Sequence, residues 1–179
     1  MKRKIKLFEP SIGKDEENSI KQVLKSKFWA SGAGVGKVLE FEKKFKKYVH
    51  SKNCVAVNSG TAALNLALSI YNIKNMEVIL PSLTFVATAN AVIMNGGKPV
   101  FVDVDPYTLN IDVEKIEDSI SKKTKIILPV HFGGLSCNLD KINSLSKKYN
   151  LKIIEDAAHA AGTNYKSKKI GSHGNMICF

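Results

Sequence analysis

Two adjacent carboxylates at the end of an apolar run are the residues of this chain whose type and spacing best fit chemistry. Residues 151–154 are predicted as a short buried strand, and Glu155 and Asp156 follow it directly. Open α/β sheets bind ligands at the carboxyl ends of their strands. His159 lies three residues after Asp156, so the two side chains share one side of the chain if a helical turn begins there.

A carboxylate at this position is costly to bury unless it meets a cation or hydrogen-bond donors. A protonated ring nitrogen of a cofactor is one partner that satisfies this need. The simpler interpretation is that Asp156 caps a helix and that His159 is an ordinary surface or core histidine. The residues of this segment alone leave both interpretations open.

A second candidate site is a small polar turn between a predicted strand and a predicted helix. Residues 54–57 are predicted as a short buried strand, and residues 62–68 are a strongly helix-forming run. Ser59, Gly60 and Thr61 lie between them, where a helix N-terminus presents free backbone N–H groups to an anion. Simple N-capping of the helix by Ser59 or Thr61 is the alternative.

Phe85 is an aromatic residue placed to contact a planar ligand. Residues 78–80 are predicted as a strand, and residues 83–92 as the helix that follows it. Phe85 then lies near the helix start, at the same sheet edge as the other candidates, where its ring can stack on a flat ligand. A phenylalanine in the core is the alternative interpretation.

A glycine-rich segment, residues 28–37, ends in Gly-Lys and was tested as a phosphate-binding loop. The P-loop requires a glycine five residues before Gly36, but Ser31 stands there. It also requires Ser or Thr after Lys37, where the chain has Val38. We therefore predict a flexible loop. One role open to this loop is to cover a ligand.

Predicted strands alternate with predicted helices along the chain, at spacings that need crossover connections. This order favours an α/β fold with a mostly parallel sheet covered by helices on both faces. No internal repeat or low-complexity linker divides the sequence, so residues 1–179 are predicted as one unit. The further predicted strands are residues 99–105, 125–134, 151–155 and 176–179, and the further predicted helices begin near Lys14 or span residues 38–49, 112–120 and 139–149.

The composition argues against nucleic-acid and membrane partners. The 179 residues carry a formal net charge of +11, but Arg3 is the only arginine and the lysines are spread along the chain. Bidentate phosphate and guanine recognition favours arginine, so no nucleic-acid site is predicted. No apolar run reaches the length of a membrane span, and the basic N-terminus lacks the apolar stretch of a signal peptide. A cytoplasmic location is therefore expected.

The cysteines and histidines predict no metal site. Cys54, Cys137 and Cys178 are odd in number and form no CxxC pair, so neither a disulfide framework nor a zinc ribbon is indicated. One weaker combination of acids and histidines lacks a recognised zinc spacing such as HExxH: Glu155, Asp156, His131 and His159.

Taken together, the turns resemble one family, the DegT-type nucleotide-sugar aminotransferases. The resemblance runs from about Glu9 to Phe179, in order and without a large gap. Several matching blocks in register are a much stronger signal than any one of them. The blocks are residues 59–64 (SGTAAL), 81–90 (PSLTFVATAN), 99–104 (PVFVDV), 129–134 (PVHFGG), 155–160 (EDAAHA) and 166–174.

This resemblance implies the fold of type I pyridoxal-phosphate (PLP) enzymes, with residues 1–179 as the N-terminal part of a three-layer PLP-binding large domain. It also implies site roles. Asp156 would pair with the pyridine nitrogen of PLP, and Phe85 would stack on the ring. Gly60 and Thr61 would hold the phosphate. His159 would lie near the phenolic oxygen.

The family usually moves an amino group from glutamate to a ketone of a nucleotide-linked deoxysugar, in amino-sugar and cell-surface polysaccharide biosynthesis. Its fold type forms dimers, with active sites where the subunits meet. The resemblance therefore implies a PLP cofactor, a nucleotide-sugar substrate, glutamate as amino donor and a homodimer of the full-length protein.

The lysine that holds PLP as a Schiff base lies, by the same resemblance, a few residues beyond Phe179, and a small C-terminal domain follows it. No catalytic residue is therefore predicted within the chain, and the chain alone is expected to be inactive as a transaminase. Two alternatives stay open. One is a dehydratase-type relative in which a histidine replaces that lysine. The other is a non-catalytic or regulatory protein that binds PLP or a nucleotide sugar.

Overall fold

The computed structural model describes residues 9–29 and 36–179. The chain divides into two compact units between Lys44 and Phe45. Most of the predicted ligand-covering loop, residues 30–35, lies outside the described residues. In the part of the chain that the structure describes, no helix is long and apolar enough to cross a membrane.

The first unit contains helix α1, Lys14–Ser26, and the start of helix α2, Gly36–Val49. The N–H of Gly13 donates to the Glu16 carboxylate at 2.7 Å, which satisfies one of the open donors at the start of α1. Lys27 ends α1 in the left-handed conformation, with φ of 58°. Both helices confirm the sequence prediction.

The second unit is built on a five-stranded sheet whose strands all run parallel. The strands are β1 Glu77–Pro81, β2 Lys98–Val102, β3 Thr124–Ile127, β4 Lys152–Asp156, β5 Asn164–Tyr165, β6 Lys168–Lys169 and β7 Met176–Cys178. The sheet order is β2-β1-β3-β4-β7, and the remaining strands, β5 and β6, pair antiparallel in a separate hairpin with two residues in each strand. A parallel sheet brings the carboxyl ends of all its strands to one edge.

Four helices of this unit sandwich the sheet: α3 Gly60–Ser69, α4 Val86–Met94, α5 Val113–Ile116 and α6 Leu139–Tyr149. Strand residues alternate between the two faces. Val78 and Leu80 pack in one buried cluster with residues of α3 and α4, whereas Ile79 packs in another with residues of α5 and α6. The predicted α/β fold, with a mostly parallel sheet between two helical layers, is confirmed.

Three strand predictions differ from the structure, and one of them is the predicted strand 99–105, which ends at Val102. Residues 54–57 form no strand, and Val55 and Val57 are 70% and 41% exposed. Apolar composition alone predicted a buried strand there, but a strand also needs a neighbouring ladder, and this segment joins neither sheet. The predicted strand 125–134 ends at Ile127, because Pro129 has no N–H to continue the ladder.

Candidate functional site

Asp156 is the last residue of β4 and is only 7% exposed. Its Oδ2 accepts the hydroxyl of Thr88 at 2.9 Å, and its Oδ1 accepts the N–H of Ala158 at 3.2 Å. An ionised carboxylate has about four acceptor positions, so two donors leave room for another. Asp156 does not cap a helix: the chain after it makes a turn closed by the N–H of Ala160 and the carbonyl of Ala157 at 2.8 Å.

Thr88 is a site residue that the sequence did not reveal. It lies in α4 and is fully buried, and its hydroxyl is 2.8 Å from that of Thr84. The two threonines are four residues apart, on one side of the chain as it enters α4. That spacing was a usable signal, but nothing in the sequence linked it to Asp156, which is 68 residues away.

Phe85 is the N-cap residue of α4, with extended backbone angles of −70° and 142°. Its side chain is 74% exposed, so the interpretation as a core phenylalanine is wrong. The backbone carbonyl of Phe85 accepts the N–H of Thr88 at 3.0 Å. One turn of backbone therefore carries both the exposed ring and the hydroxyl that bonds Asp156.

The turn before α3 lies at the same sheet edge. The Ser59 hydroxyl accepts the N–H of Ala62 at 3.2 Å, which confirms Ser59 as the N-cap. The N–H groups of Gly60 and Thr61 begin the helix, where no intrahelical acceptor exists. A Cβ on Gly60 would lie 3.7 Å from the carbonyl oxygen of Phe179, the residue that follows β7.

This short distance places the start of α3 next to the end of β7. β7 pairs with β4 so that Cys178 stands opposite Asp156. The start of α3 therefore lies near the end of β7, and Asp156 lies at the end of the neighbouring strand β4. An anion-binding helix terminus beside a buried acceptor suits a flat ligand with a charged group at one end.

His159 is exposed in the turn after β4. Its Nδ1 accepts the N–H of Gly133 at 3.2 Å, so the ring proton of the neutral form sits on Nε2. Its ring also packs edge-to-face with that of Phe132, with centroids 6.0 Å apart. The loop after β3 thus fixes the orientation of His159, and Nε2 is the atom that can donate to a ligand.

Glu155 faces away from Asp156 and enters a buried network with His131; both side chains are fully buried. The N–H of Cys137 donates to Nδ1 of His131 at 3.0 Å, so Nε2 carries the proton and donates to Glu155 at 2.9 Å. Asn175 donates to the other oxygen of Glu155 at 2.8 Å. These bonds occupy Glu155 and His131, two of the four residues of the weaker metal alternative. Among the described residues, no cluster of three His, Cys, Asp or Glu could hold a metal.

Two buried cysteines, Cys137 and Cys178, lie close enough to these carboxylates to be affected by their charge. Burial, and then the charge of Asp156, raises the pKa of Cys178 to about 12. Burial, and then the charge of Glu155, raises the pKa of Cys137 to about 12. Both thiols are therefore protonated and unreactive at neutral pH.

A model of the DegT/DnrJ/EryC1/StrS aminotransferase family matches residues 10–179. The chain belongs to this family. It is 46% identical over 171 residues to the spore coat polysaccharide biosynthesis protein SpsC of Bacillus subtilis, covering 95% of this chain and 43% of SpsC. It is also 46% identical over 152 residues to the GDP-perosamine synthase of Caulobacter vibrioides, covering 84% of this chain and 41% of that protein.

Solved structures support the assignment to this family. The PLP-form of Spr1654 from Streptococcus pneumoniae superposes with a TM-score of 0.83 at 31% identity, covering 91% of this chain and 45% of that one. PLP is the cofactor of this family's aminotransferases. The chain spans less than half the length of the relatives it matches.

We predict that Cys137 and Cys178 resist iodoacetamide in the folded chain at pH 8. With pKa values of about 12, only roughly one thiol in ten thousand is ionised there. Mass spectrometry after labelling, with and without urea, measures this: all three cysteines should react in urea. Rapid labelling of Cys178 in the folded chain would contradict the packing of β7 against β4.

Proposed function

We propose that these residues form the cofactor-holding part of a PLP-dependent aminotransferase. The reaction would move an amino group from glutamate to a nucleotide-linked keto-deoxysugar, in amino-sugar or cell-surface polysaccharide biosynthesis. One observation carries the proposal: Asp156 is a buried carboxylate with spare acceptor capacity, beside the open start of α3. The names of SpsC and of GDP-perosamine synthase support the substrate class.

The residues at the sheet edge fit PLP group by group. Asp156 would accept the N–H of the pyridine ring, and its charge would favour the protonated ring. Gly60 and Thr61 would donate to the phosphate, whose charge also suits a helix N-terminus. When bound, the protonated ring supplies an electron sink for the carbanion formed at the amino acid.

Two further residues would orient the ring. Phe85 has a freely exposed ring at the start of α4 and would cover one face of the cofactor. Because Nδ1 of His159 accepts from Gly133, its Nε2–H would be the group that donates to the phenolic oxygen. Water would be excluded from the covered face, which strengthens the hydrogen bond to Asp156.

By family resemblance, the lysine that attaches PLP covalently would lie beyond Phe179. We therefore expect residues 1–179 alone to bind PLP reversibly and not to catalyse transamination. Cys137 and Cys178 are buried thiols that form no disulfide, and this supports a further proposal that the protein is cytoplasmic.

We further propose that the full-length protein is a homodimer that uses the outer face of α3 and α4. These two helices pack against each other. Leu66 of α3 and its C-cap residue Ile70 are 47% and 62% exposed, and Ile93 and Met94 of α4 are 57% and 73% exposed. Apolar side chains grouped this way are typical of a covered surface.

Titration of PLP into the purified chain, followed by absorbance, tests the cofactor proposal. Asp156→Ala should weaken PLP binding by about tenfold or more, because it removes a charged hydrogen-bond acceptor. Asp140→Ala, at an exposed aspartate, is the control and should leave the affinity unchanged. Phe85→Ala should weaken binding by about fivefold through lost stacking, whereas Phe101→Ala, at another exposed phenylalanine, should not.

A borohydride trap completes this experiment. Reversible binding without an adduct is the expected result. An adduct on one lysine of the chain would contradict the assignment of the attachment site beyond Phe179. Binding that ignores Asp156→Ala would contradict the site itself.

Sedimentation velocity over a range of concentrations tests the dimer. Ile70→Lys and Met94→Lys should each shift the chain towards monomer, because a lysine in an apolar contact leaves its charge desolvated. Tyr107→Lys replaces a 93% exposed aromatic elsewhere and should leave association unchanged. A wild-type chain that stays monomeric throughout would count against the proposal.

A further inference from the structure

We propose that Thr88 is a positioning residue. Its hydroxyl accepts a hydrogen bond from Thr84 and holds the Asp156 carboxylate in the orientation that a cofactor ring nitrogen requires. This inference rests on the proposed PLP site. It adds two residues to that site, neither of which is expected to touch the cofactor.

The direction of the hydrogen bonds supports the proposal. An ionised carboxylate can only accept, so the Thr88 hydroxyl must donate its one proton to Oδ2 of Asp156 at 2.9 Å. The 2.8 Å bond between the two hydroxyls must then be donated by Thr84. Thr84 thus donates to Thr88, and Thr88 donates to Asp156. Hydrogen bonds that follow one another in the same direction strengthen the final bond, here the one to the carboxylate.

The geometry around the carboxylate explains how these two hydrogen bonds orient Asp156. Thr88 holds Oδ2 from α4, while the N–H of Ala158 holds Oδ1 from the turn after β4. Donors on both oxygens, from different elements, fix the plane of the carboxylate. The acceptor positions that remain then point in fixed directions, as the capture of a ring N–H demands.

The same backbone turn links this function to the ring-stacking residue. Thr88 donates its backbone N–H to the carbonyl of Phe85 at 3.0 Å, while its side chain bonds Asp156. The start of α4 therefore sets both the proposed face of the ring and the proposed position of its nitrogen. Displacing this turn would disturb both contacts together.

A merely structural role is the competing explanation, since Thr88 is fully buried and also ties α4 to β4. Thr88→Val keeps the shape and removes the hydroxyl, and Thr88→Ser keeps the hydroxyl. Thr124→Val is a matched control, because Thr124 is another buried threonine, only 8% exposed, that bonds Glu77 in a different part of the sheet.

The first experiment measures PLP affinity in five variants and the wild type. We expect Thr88→Val to weaken binding by about tenfold, and Thr88→Ser to restore it to within about twofold. In an Asp156→Ala background, Thr88→Val should have no further effect, because the hydroxyl acts through the carboxylate. Thr124→Val should bind as the wild type does. Equal losses from Thr88→Val in both backgrounds, or no loss at all, would overturn the proposal.

A second readout needs no cofactor and so separates this inference from the proposed function. A buried hydroxyl proton held by a carboxylate exchanges slowly enough to be seen by NMR in the apo chain. We expect a Thr88 hydroxyl signal that disappears in Asp156→Ala and persists in Asp140→Ala. Its absence from the folded wild type would refute the positioning role. Its presence in a chain that does not bind PLP would refute the cofactor proposal but not the hydrogen-bond chain.

Discussion

The structure of the candidate site depends on one buried carboxylate, Asp156, held at the edge of a parallel sheet. Removing an ion from water costs several kcal/mol even after the protein relaxes. Hydrogen bonds to a charged group return about 1.5–3 kcal/mol each. The Thr88 hydroxyl and the Ala158 N–H supply two such bonds from the protein, and a third donor from a ligand would complete the shell.

The alternation of side chains along β4 lets two carboxylates stand side by side without facing each other. Ile154 packs with residues of α3 and α4, and Asp156 follows on that side, bonded to α4. Ile153 packs on the opposite side, where Glu155 meets His131. Each charge is satisfied by its own layer, and the two adjacent acids therefore have different roles.

The sequence predicted the parts of this protein that follow from local periodicity and from motifs. Helices α1, α2 and α6, the parallel sheet and the cap at Ser59 were predictable, because each depends on residues near one another in the chain. The positions of Asp156 and Phe85 at one edge of the sheet were predictable, because Asp156 ends β4 and Phe85 follows β1.

The misses have a common physical cause. Residues 54–57 are apolar, but whether they form a strand depends on a neighbouring ladder that no local pattern reveals. The pairing of Thr88 with Asp156 spans 68 positions, and that of His131 with Glu155 spans 24. Such contacts are set by the packing of layers, so only the folded structure can show that a threonine in α4 belongs to the site.

The most direct test of the central claim is the protonation state of the cofactor's ring nitrogen in the bound state. PLP labelled with ¹⁵N in its ring, bound to this chain, should give the NMR signal of a protonated nitrogen at a pH where free PLP has lost that proton. The signal should revert to the deprotonated form, or the binding should vanish, in Asp156→Ala. A bound ring nitrogen that is unprotonated in the wild type, or protonated equally in Asp156→Ala, would contradict the account of Asp156 as the residue around which the site is built.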